Sequence, residues 1–468
     1  MKKRLISLIL AAIVLLSCAF AEESQSEEYL LPYIDLYAVP LGDNAIFEIP
    51  NEWGYQTSDA ADVPPMTSLL TDQNQMVMAM KLPADWEATD ASDALGIQSF
   101  IVEGTALMLG LTTPQSTRLQ EMTINDMPAV LVSMNGQGFD ILWIGDSGDL
   151  YFFLFPNDDD ALVQQMISVA QSLCVFHRKG EQVNPASDFA YTADGGEVTI
   201  TDYIGTSEHV LIPDTIDGLP VTALADKAFY EKHVTTVVVP DSVTEIGDLC
   251  FSGGNYLVSL TLPDELAELP YAALESCFRL MDFNLPKELK KISGSALQYN
   301  YYLTHLTLPS SLTEIEQLNF IGLYGLQSLT IAEDNAAFKL DETSGLLMTA
   351  DGTRLLHCFS DISPAEEIIL PEGVKIVDPF AFHYDYDVER IVLPEGVETI
   401  GAMAFAMCPN LTEIVIPASV TDIGVMDGLE GRTGIISYKR NVIVTPEGCP
   451  AWNWAVETGA TVKSPEEN

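Results

Sequence analysis

Between residues 235 and 424 the apolar positions recur in a fixed unit. A short alternating stretch ends in Leu-Pro or Val-Pro, as in Val237-Val238-Val239-Pro240, Leu306-Thr307-Leu308-Pro309 and Ile391-Val392-Leu393-Pro394. A polar turn leads to a second stretch such as Ser242-Val243-Thr244-Glu245-Ile246-Gly247. A small residue then precedes an aromatic or Leu: Ala228-Phe229, Cys250-Phe251, Ala273-Leu274, Ala296-Leu297, Ala381-Phe382 and Ala404-Phe405. Pro240, Pro263, Pro286 and Pro309 lie 23 residues apart, and so do Pro371, Pro394 and Pro417. Ala332 holds the slot after Pro309, and Pro371 follows it by 39, which is one period plus 16 inserted residues.

Two short strands per unit cannot bury their apolar edges alone, so successive units must stack. A period in the twenties is the mark of a leucine-rich-repeat solenoid. Strand alternation sends the residues one and three before each proline inward: Leu260 and Leu262, Phe283 and Leu285, Leu306 and Leu308. The residues two and four before it should face out, giving Ser259 and Thr261, Asp282 and Asn284, His305 and Thr307, Ser328 and Thr330, Glu367 and Ile369, Arg390 and Val392. About nine coils are expected, because the strand spacing of roughly 4.8 Å then gives a rod on the order of 40 Å. The insertion over 334–351 contains Gly345-Leu346-Leu347-Met348 and Gly352-Thr353-Arg354-Leu355-Leu356, and reads as a hairpin projecting from one edge.

The units Val397-Glu398-Thr399-Ile400-Gly401-Ala402-Met403-Ala404-Phe405 and Val420-Thr421-Asp422-Ile423-Gly424 closely resemble the BspA-like leucine-rich repeats of bacterial surface proteins. The resemblance covers residues 191–463, including a closing cap over 433–463 in which Trp452, Trp454 and Ala455 would cover the last coil. It implies surface exposure and binding or adhesion, and it supplies no catalytic residues.

Residues 30–177 read as a separate α+β domain, an antiparallel sheet with helices. Strands are expected over 45–49, 76–80, 118–124, 129–134, 139–144 and 150–155, with helices over 91–109 and from Asp158 to Leu173. Phe47-Glu48-Ile49-Pro50 with Trp53, and the late hairpin followed by a helix, resemble the PsbP-like family. A polar linker over 178–190 separates the two parts. The fold class is therefore an α+β N-terminal domain followed by a leucine-rich-repeat solenoid of 23-residue β-rich units.

The first residues read as a leader. Lys2-Lys3-Arg4 precedes an apolar run from Leu5 to Leu16 that is short for a membrane span. Cleavage after Ala21 fits the small residues Ala19 and Ala21. The alternative is a lipoprotein signal ending at residue 17, with Cys18 as the lipidated residue. Both readings export the chain, and only a lipid anchor would tie it to a membrane.

The charge sharpens this picture: 21 Lys and Arg stand against 68 Asp and Glu, a net charge of −47. Such a surface repels nucleic acid and anionic membranes and keeps the chain soluble. Six cysteines follow Cys18 without zinc spacing, and Cys250, Cys277 and Cys408 occupy repeat columns suited to small buried thiols.

Little in the chain suggests catalysis. Gly145-Asp146-Ser147-Gly148 has the look of a protease nucleophile, but it lies between two strands and reads as a hairpin turn. The nearest histidine, His177, falls beyond the last helix of that domain, so no triad forms. The six histidines lack metal-ligand spacing, and glycine-rich phosphate loops are absent, so no cofactor is expected.

The feature that invites a functional reading is aromatic. Phe278, Tyr301 and Tyr324 lie 23 apart, and Tyr386 follows after two periods plus 16, in one column of the loops after the small-aromatic pairs. Tyr256 and Tyr302 fall in the next column, with Tyr299 and Tyr384 two places before the first. Rings in register either pack as a spine or form a rigid strip suited to sugar faces or a protein partner. The reading is an exported, monomeric, non-catalytic protein that binds an extracellular protein or carbohydrate through Phe278, Tyr301, Tyr324 and Tyr386 with Thr261, Asn284 and Thr307. The alternatives are a hydrolase-type enzyme with its active site in residues 30–177, and a structural spacer presenting that domain.

Overall fold

The computed structural model describes residues 36–41, 45–50, 54–58, 66–71, 75–82, 117–124, 127–134, 139–146, 149–156, 160–175, 183–359, 365–385, 387–424, 436 and 441–465. The leader with Cys18, the helix expected over 91–109, and Tyr386 lie outside these residues. The chain divides into two units, Met1–Gln182 and Val183–Asn468.

In the first unit the strands that alternate in sequence pair antiparallel. Seven of them form one sheet in the order 54–58, 66–70, 76–82, 149–156, 139–146, 127–134, 117–124. Strands 139–146 and 149–156 pair with Asp146 opposite Asp149, while Ser147 and Gly148 of the Gly-Asp-Ser-Gly stretch lie outside the described residues. A smaller sheet joins strands 36–40, 45–50 and 174–175. The helix Asp160–Gln171 lies against strands 45–50 and 149–156. Leu162, Met166, Val169 and Ala170 bury its inner face among Phe47, Phe153 and Leu142. Strands 54–58 and 66–70 escape the sequence reading because they are short and half polar.

The second unit is the solenoid. Eleven parallel first strands follow one another: 209–211, 236–238, 259–261, 282–283, 305–308, 328–331, 367–369, 390–392, 413–415, 442–444 and 461–463. That is two more coils than the proline count suggests, because the cap strands 442–444 and 461–463 join the ladder without a Leu-Pro ending. Each proline ends a strand, where its missing N–H costs nothing, and its carbonyl starts the next turn. Val243 donates to Pro240 O at 3.0 Å, and Leu266, Leu289 and Leu312 repeat the bond at 3.2 Å.

A further backbone ladder runs through the small-aromatic pairs. Phe229 N donates to Cys250 O at 2.8 Å, Phe251 N to Ala273 O at 2.8 Å, and Phe382 N to Ala404 O at 2.8 Å. The residue before each pair is left-handed although it is not glycine: Leu249 (φ 59°), Ala272 (52°), Ser295 (59°), Leu318 (72°), Phe380 (59°) and Met403 (56°). Such a conformation costs about 1–2 kcal/mol per residue. It persists because it aims that residue's N–H at the next coil, as in Leu249 N to Tyr271 O at 2.9 Å. The glycine of the Ile-Gly step answers to close approach between coils. A Cβ on Gly401 would lie 2.2 Å from Pro379 N, and one on Gly247 2.3 Å from Asp226 N.

The solenoid holds two hydrophobic clusters, one from Phe189 to Phe359 and one from Leu346 to Ala455. The insertion lies between them and does not protrude. Its strands 338–341, 346–349 and 354–358 form an antiparallel meander, and the last pairs parallel with 376–377. Leu347, Leu356, Phe338 and Phe359 belong to the first cluster. Leu346, Met348, Leu355 and Cys358 belong to the second. Alternation thus gives the meander two apolar faces, and it serves as a wall shared by both cores. A projecting hairpin would have left these leucines in water.

The linker expected over 178–190 also needs correction. From Val183 the chain is already part of the solenoid. Asn184 is buried; its N–H donates to Leu211 O at 3.0 Å, and its Oδ1 accepts from Leu211 N at 2.8 Å. It satisfies the free edge of the first parallel strand, where an open edge would invite pairing with another chain. The far end carries helix Pro450–Thr458, capped by the Cys449 thiol and by Gly459 at φ 73°. Ala451 and Ala455 seat the helix on the last coil, with Trp454 packed beside them.

Candidate functional site

Several described coils leave the core by a second left-handed residue four positions after the first: Ser276 (φ 60°), Tyr299 (62°), Tyr384 (63°) and Met407 (62°). Its N–H is again fixed by the next coil, Ser276 to Gln298 O at 2.9 Å and Tyr299 to Ile321 O at 2.8 Å. Two residues later the loops place Phe278, Tyr301 and Tyr324, so their register follows from the backbone. Phe278 and Tyr301 stack with centroids 4.9 Å apart and planes 11° from parallel. Tyr301 and Tyr324 stack at 5.5 Å and 14°. All three rings are partly exposed.

The row goes on past the insertion through Tyr384, whose ring meets Tyr324 edge-on at 5.3 Å. Column spacing points to Tyr386, two residues on, which lies outside the described residues. Tyr384 shares its column with Tyr299 and Gly322, and the Tyr299 ring and backbone fill the space over Gly322. A Cβ there would lie 2.6 Å from Tyr299 Cδ1. Tyr299 leans on Tyr301 edge-on at 6.2 Å. Burial, then the nearby Tyr299 and Tyr384 hydroxyls, hold the Tyr301 phenol above its ordinary pKa.

One expectation about these rings changes. Phe278 and Tyr324 cover both faces of the Tyr301 ring, so at Tyr301 no flat ring face is left to solvent. Upstream, His233 lies against Tyr256 at 3.7 Å and the Arg279 guanidinium lies 5.8 Å from the same ring. Tyr256 itself is 43% exposed.

The strand face follows the alternation with one exception. Thr261, Asn284 and Thr307 are exposed, and Thr307 and Thr330 share a hydroxyl hydrogen bond of 2.7 Å. Ser259, expected outside, is buried, because its hydroxyl donates to Asp282 Oδ2 at 2.6 Å and the next coil covers it. Beyond the insertion the same positions become an ionic ladder. Arg390 Nη1 meets Glu367, Arg390 Nε donates to Glu413 Oε1 at 2.8 Å, and Lys463 Nζ donates to Glu413 Oε2 at 2.8 Å. Ile369 stands beside it, 63% exposed. On the parallel second strands of the coils, at 268–269, 291–292 and 314–315, Lys291 bridges Glu268 and Glu316 at 3.2 and 2.8 Å. The sequence showed these charges, but not that Arg390 and Lys291 each fall between two acids about one period away.

The buried polar groups are structural. The Cys277 thiol donates to Phe251 O at 3.2 Å and that of Cys408 to Phe382 O at 2.8 Å. Asn300 Nδ2, in the same column, donates to Leu274 O at 3.1 Å. Burial pushes the Cys277 thiol up to about 12, so it stays protonated. Among the described residues no group of three or more His, Cys, Asp and Glu could hold a metal ion. His357 and His383 sit at the wall between the cores, amid Phe320, Phe359 and Phe380. Burial holds their pKa values down to about 3 and about 4.

Residues 222–341 and 356–426 match the family described as BspA type Leucine rich repeat region, in six copies. Solved structures are similar at low identity. A leucine-rich-repeat protein of T. pallidum is 23% identical, covers 60% of this chain and 98% of its own, and has a TM-score of 0.31. A leucine-rich cell surface protein of Faecalibacterium prausnitzii is 18% identical over 61% of this chain and 96% of its own, with a TM-score of 0.40. The pneumococcal vaccine antigen PcpA is 22% identical over 56% and 81%, with a TM-score of 0.41. No curated protein matches the chain.

Proposed function

We propose that this chain, a solenoid of BspA-type leucine-rich repeats preceded by an α+β unit, is an exported, non-catalytic binding protein acting at or outside the cell surface. The observation that carries the reading is the row Phe278, Tyr301, Tyr324 and Tyr384. Four rings are held in register over the coils on either side of the insertion, partly open to solvent, on loops whose backbone is locked coil to coil. Aromatic rings fixed before binding give large contact area at little entropic cost. The exposed Thr261, Asn284, Thr307 and Thr330 offer a second, polar surface on the strand side.

Export rests on the leader, and the net charge of −47 suits a soluble exterior partner-binding protein. The test probes the purified protein lacking its leader on protein and glycan arrays, beside a Tyr301→Ser, Tyr324→Ser, Tyr384→Ser variant. Loss of a bound partner in the variant, with an unchanged circular dichroism spectrum, supports the reading. Equal binding by both proteins overturns the role of the row.

A further inference from the structure

We infer that the coil carrying the insertion is an acid-opened joint, along which protons on His357 and His383 part the solenoid while both cores stay folded. No ligand on the tyrosine row is needed for it.

The joint begins as a break in hydrogen bonding. The first strand of this coil, 328–331, pairs back to 305–308, and among the described residues it has no pairing forward to 367–369. The second strand, 354–358, pairs forward to 376–377, and among the described residues it has none back to 314–315. The loop ladder stops at the same place. Ser295 N and Tyr299 N donate to Gln317 O and Ile321 O, but the matching N–H groups of Leu318, Phe320 and Gly322 meet no acceptor among the described residues. One half of the coil therefore belongs to each core, and the meander strands 338–341, 346–349 and 354–358 are the hinge between them. Side chains close the line: Phe320 lies 5.8 Å from the His357 ring and 5.4 Å from Phe359, and Tyr324 meets Tyr384. Parting here breaks ring contacts and no ladder, so it is a local opening that precedes the loss of either core.

The trigger sits on that line. His357 is buried, with its ring donating to the Phe380 carbonyl and near enough to His383 for two charges to repel. His383 Nδ1 is buried without a hydrogen-bond partner, and the Tyr384 ring packs edge-on against it. The charged groups around the pair are engaged elsewhere. Glu316, which lines the same cleft as His357 and Asp378, accepts from Lys291 Nζ and Gly294 N at 2.8 Å each. Arg354 forks onto Asp378, with Glu314 nearby. Asp385 accepts from the amides of Asp387 and Val388 and from the Cys358 thiol. The strand 346–349 brings Leu347 opposite His357 and no charge. Burial holds both histidines neutral in the closed joint, with pKa values down to about 3 and about 4. Once hydrated they return toward about 6.5, so the open joint binds more protons and is favoured as pH falls. Opening bares Phe320, Leu356 and Phe359, an apolar seam that is buried when the joint is closed.

Leu356→Cys puts a thiol on the seam, and dithiodipyridine labels thiols even in acid. Relative to the partly exposed Cys449, its labelling should quicken at least about tenfold from about pH 7.5 to about pH 5, because each released histidine shifts the opening about tenfold per pH unit. Cys277 in the first core and Cys408 in the second should stay protected. Adding His357→Gln and His383→Gln should abolish the quickening. The unaltered chain, tested beside the variants, should bind a hydrophobic dye at the lower pH with an unchanged circular dichroism spectrum. A seam thiol as slow in acid as at neutral pH, labelling of all thiols together, quickening that survives the histidine changes, or an unaltered chain that takes up no dye would each overturn the inference.

Discussion

The two halves of the solenoid share a coil and differ in nearly everything it displays. Before the meander, the first strands turn Thr261, Asn284, Thr307 and Thr330 outward, and the ionic ladder lies on the second strands at Glu268, Lys291 and Glu316. Beyond it, the ionic ladder has moved to the first strands at Glu367, Arg390, Glu413 and Lys463, and Ile369 stands open. Inside, both halves keep one plan: alternating aliphatics, a small residue and a ring, with Phe229 on Phe251 at 5.3 Å and Phe382 on Phe405 at 5.4 Å. Packing fixes the inner columns, whereas the outer ones are free to vary, so differences between the halves report on surface and not on fold. The meander makes the halves distinct cores while the row of tyrosines spans them.

The harshest way to break the comparison is to charge one core. Phe405 is 1% exposed, so Phe405→Asp should unfold the second core, seen as lost circular dichroism signal and early melting. Deleting residues 264–286, one whole period, should instead leave a folded, shorter first core, because coils touch only their neighbours. A native Phe405→Asp protein with an unfolded deletion would refute the stacked architecture.

The wall offers a finer cut. Arg354 forks onto Asp378, both contacts 2.7 Å, and the Asp378 side chain is 5% exposed. Arg354→Met should cost about 3 kcal/mol or more by stranding that carboxylate. Leu347→Ala and Met348→Ala should each cost about 2–5 kcal/mol, but hydrogen exchange should show the first loosening residues before the meander and the second those after it. Equal loosening on both sides would mean one core, not two.

Acid should act at the same wall. His357 and His383 titrate near 6.5 when unfolded but about 3 and about 4 when folded. Between those values the unfolded chain binds more protons, so stability should fall as pH drops from about 6.5 toward 4, by about 1.4 kcal/mol per pH unit for each histidine. His357→Asn should flatten the dependence of melting temperature on pH. Below the ordinary glutamate range a further loss is expected, because Arg390 and Lys463 hold the Glu413 carboxyl low and Lys291 does the same for Glu316. The smallest effect is reserved for an exposed pair. Lys287→Ala removes a 2.7 Å bridge to Asp264, and should leave the melting temperature nearly unmoved.

Much of this was legible in the chain. The prolines gave the period, Leu260 and Leu262 the inward face, and Phe278, Tyr301 and Tyr324 the row. What escaped were places where periodicity stops. The meander's Leu346-Leu347-Met348 has no period to say which core takes which residue, and its double burial needs both halves present. Tyr384 joins the row through an edge-on ring contact with Tyr324, which column spacing did not reveal.

Sequence by itself determined what repeats: a 23-residue alternation with a proline stop can bury its apolar side only by stacking on copies of itself, and side chains in one column must then meet every coil. Tertiary structure decided what happens across coils and at the breaks. It set which base falls between two acids, which serine is covered, which face of each ring is used up, and how an insertion with two apolar faces becomes a wall. Each of these depends on a neighbour one period or more away, and on how backbones approach there.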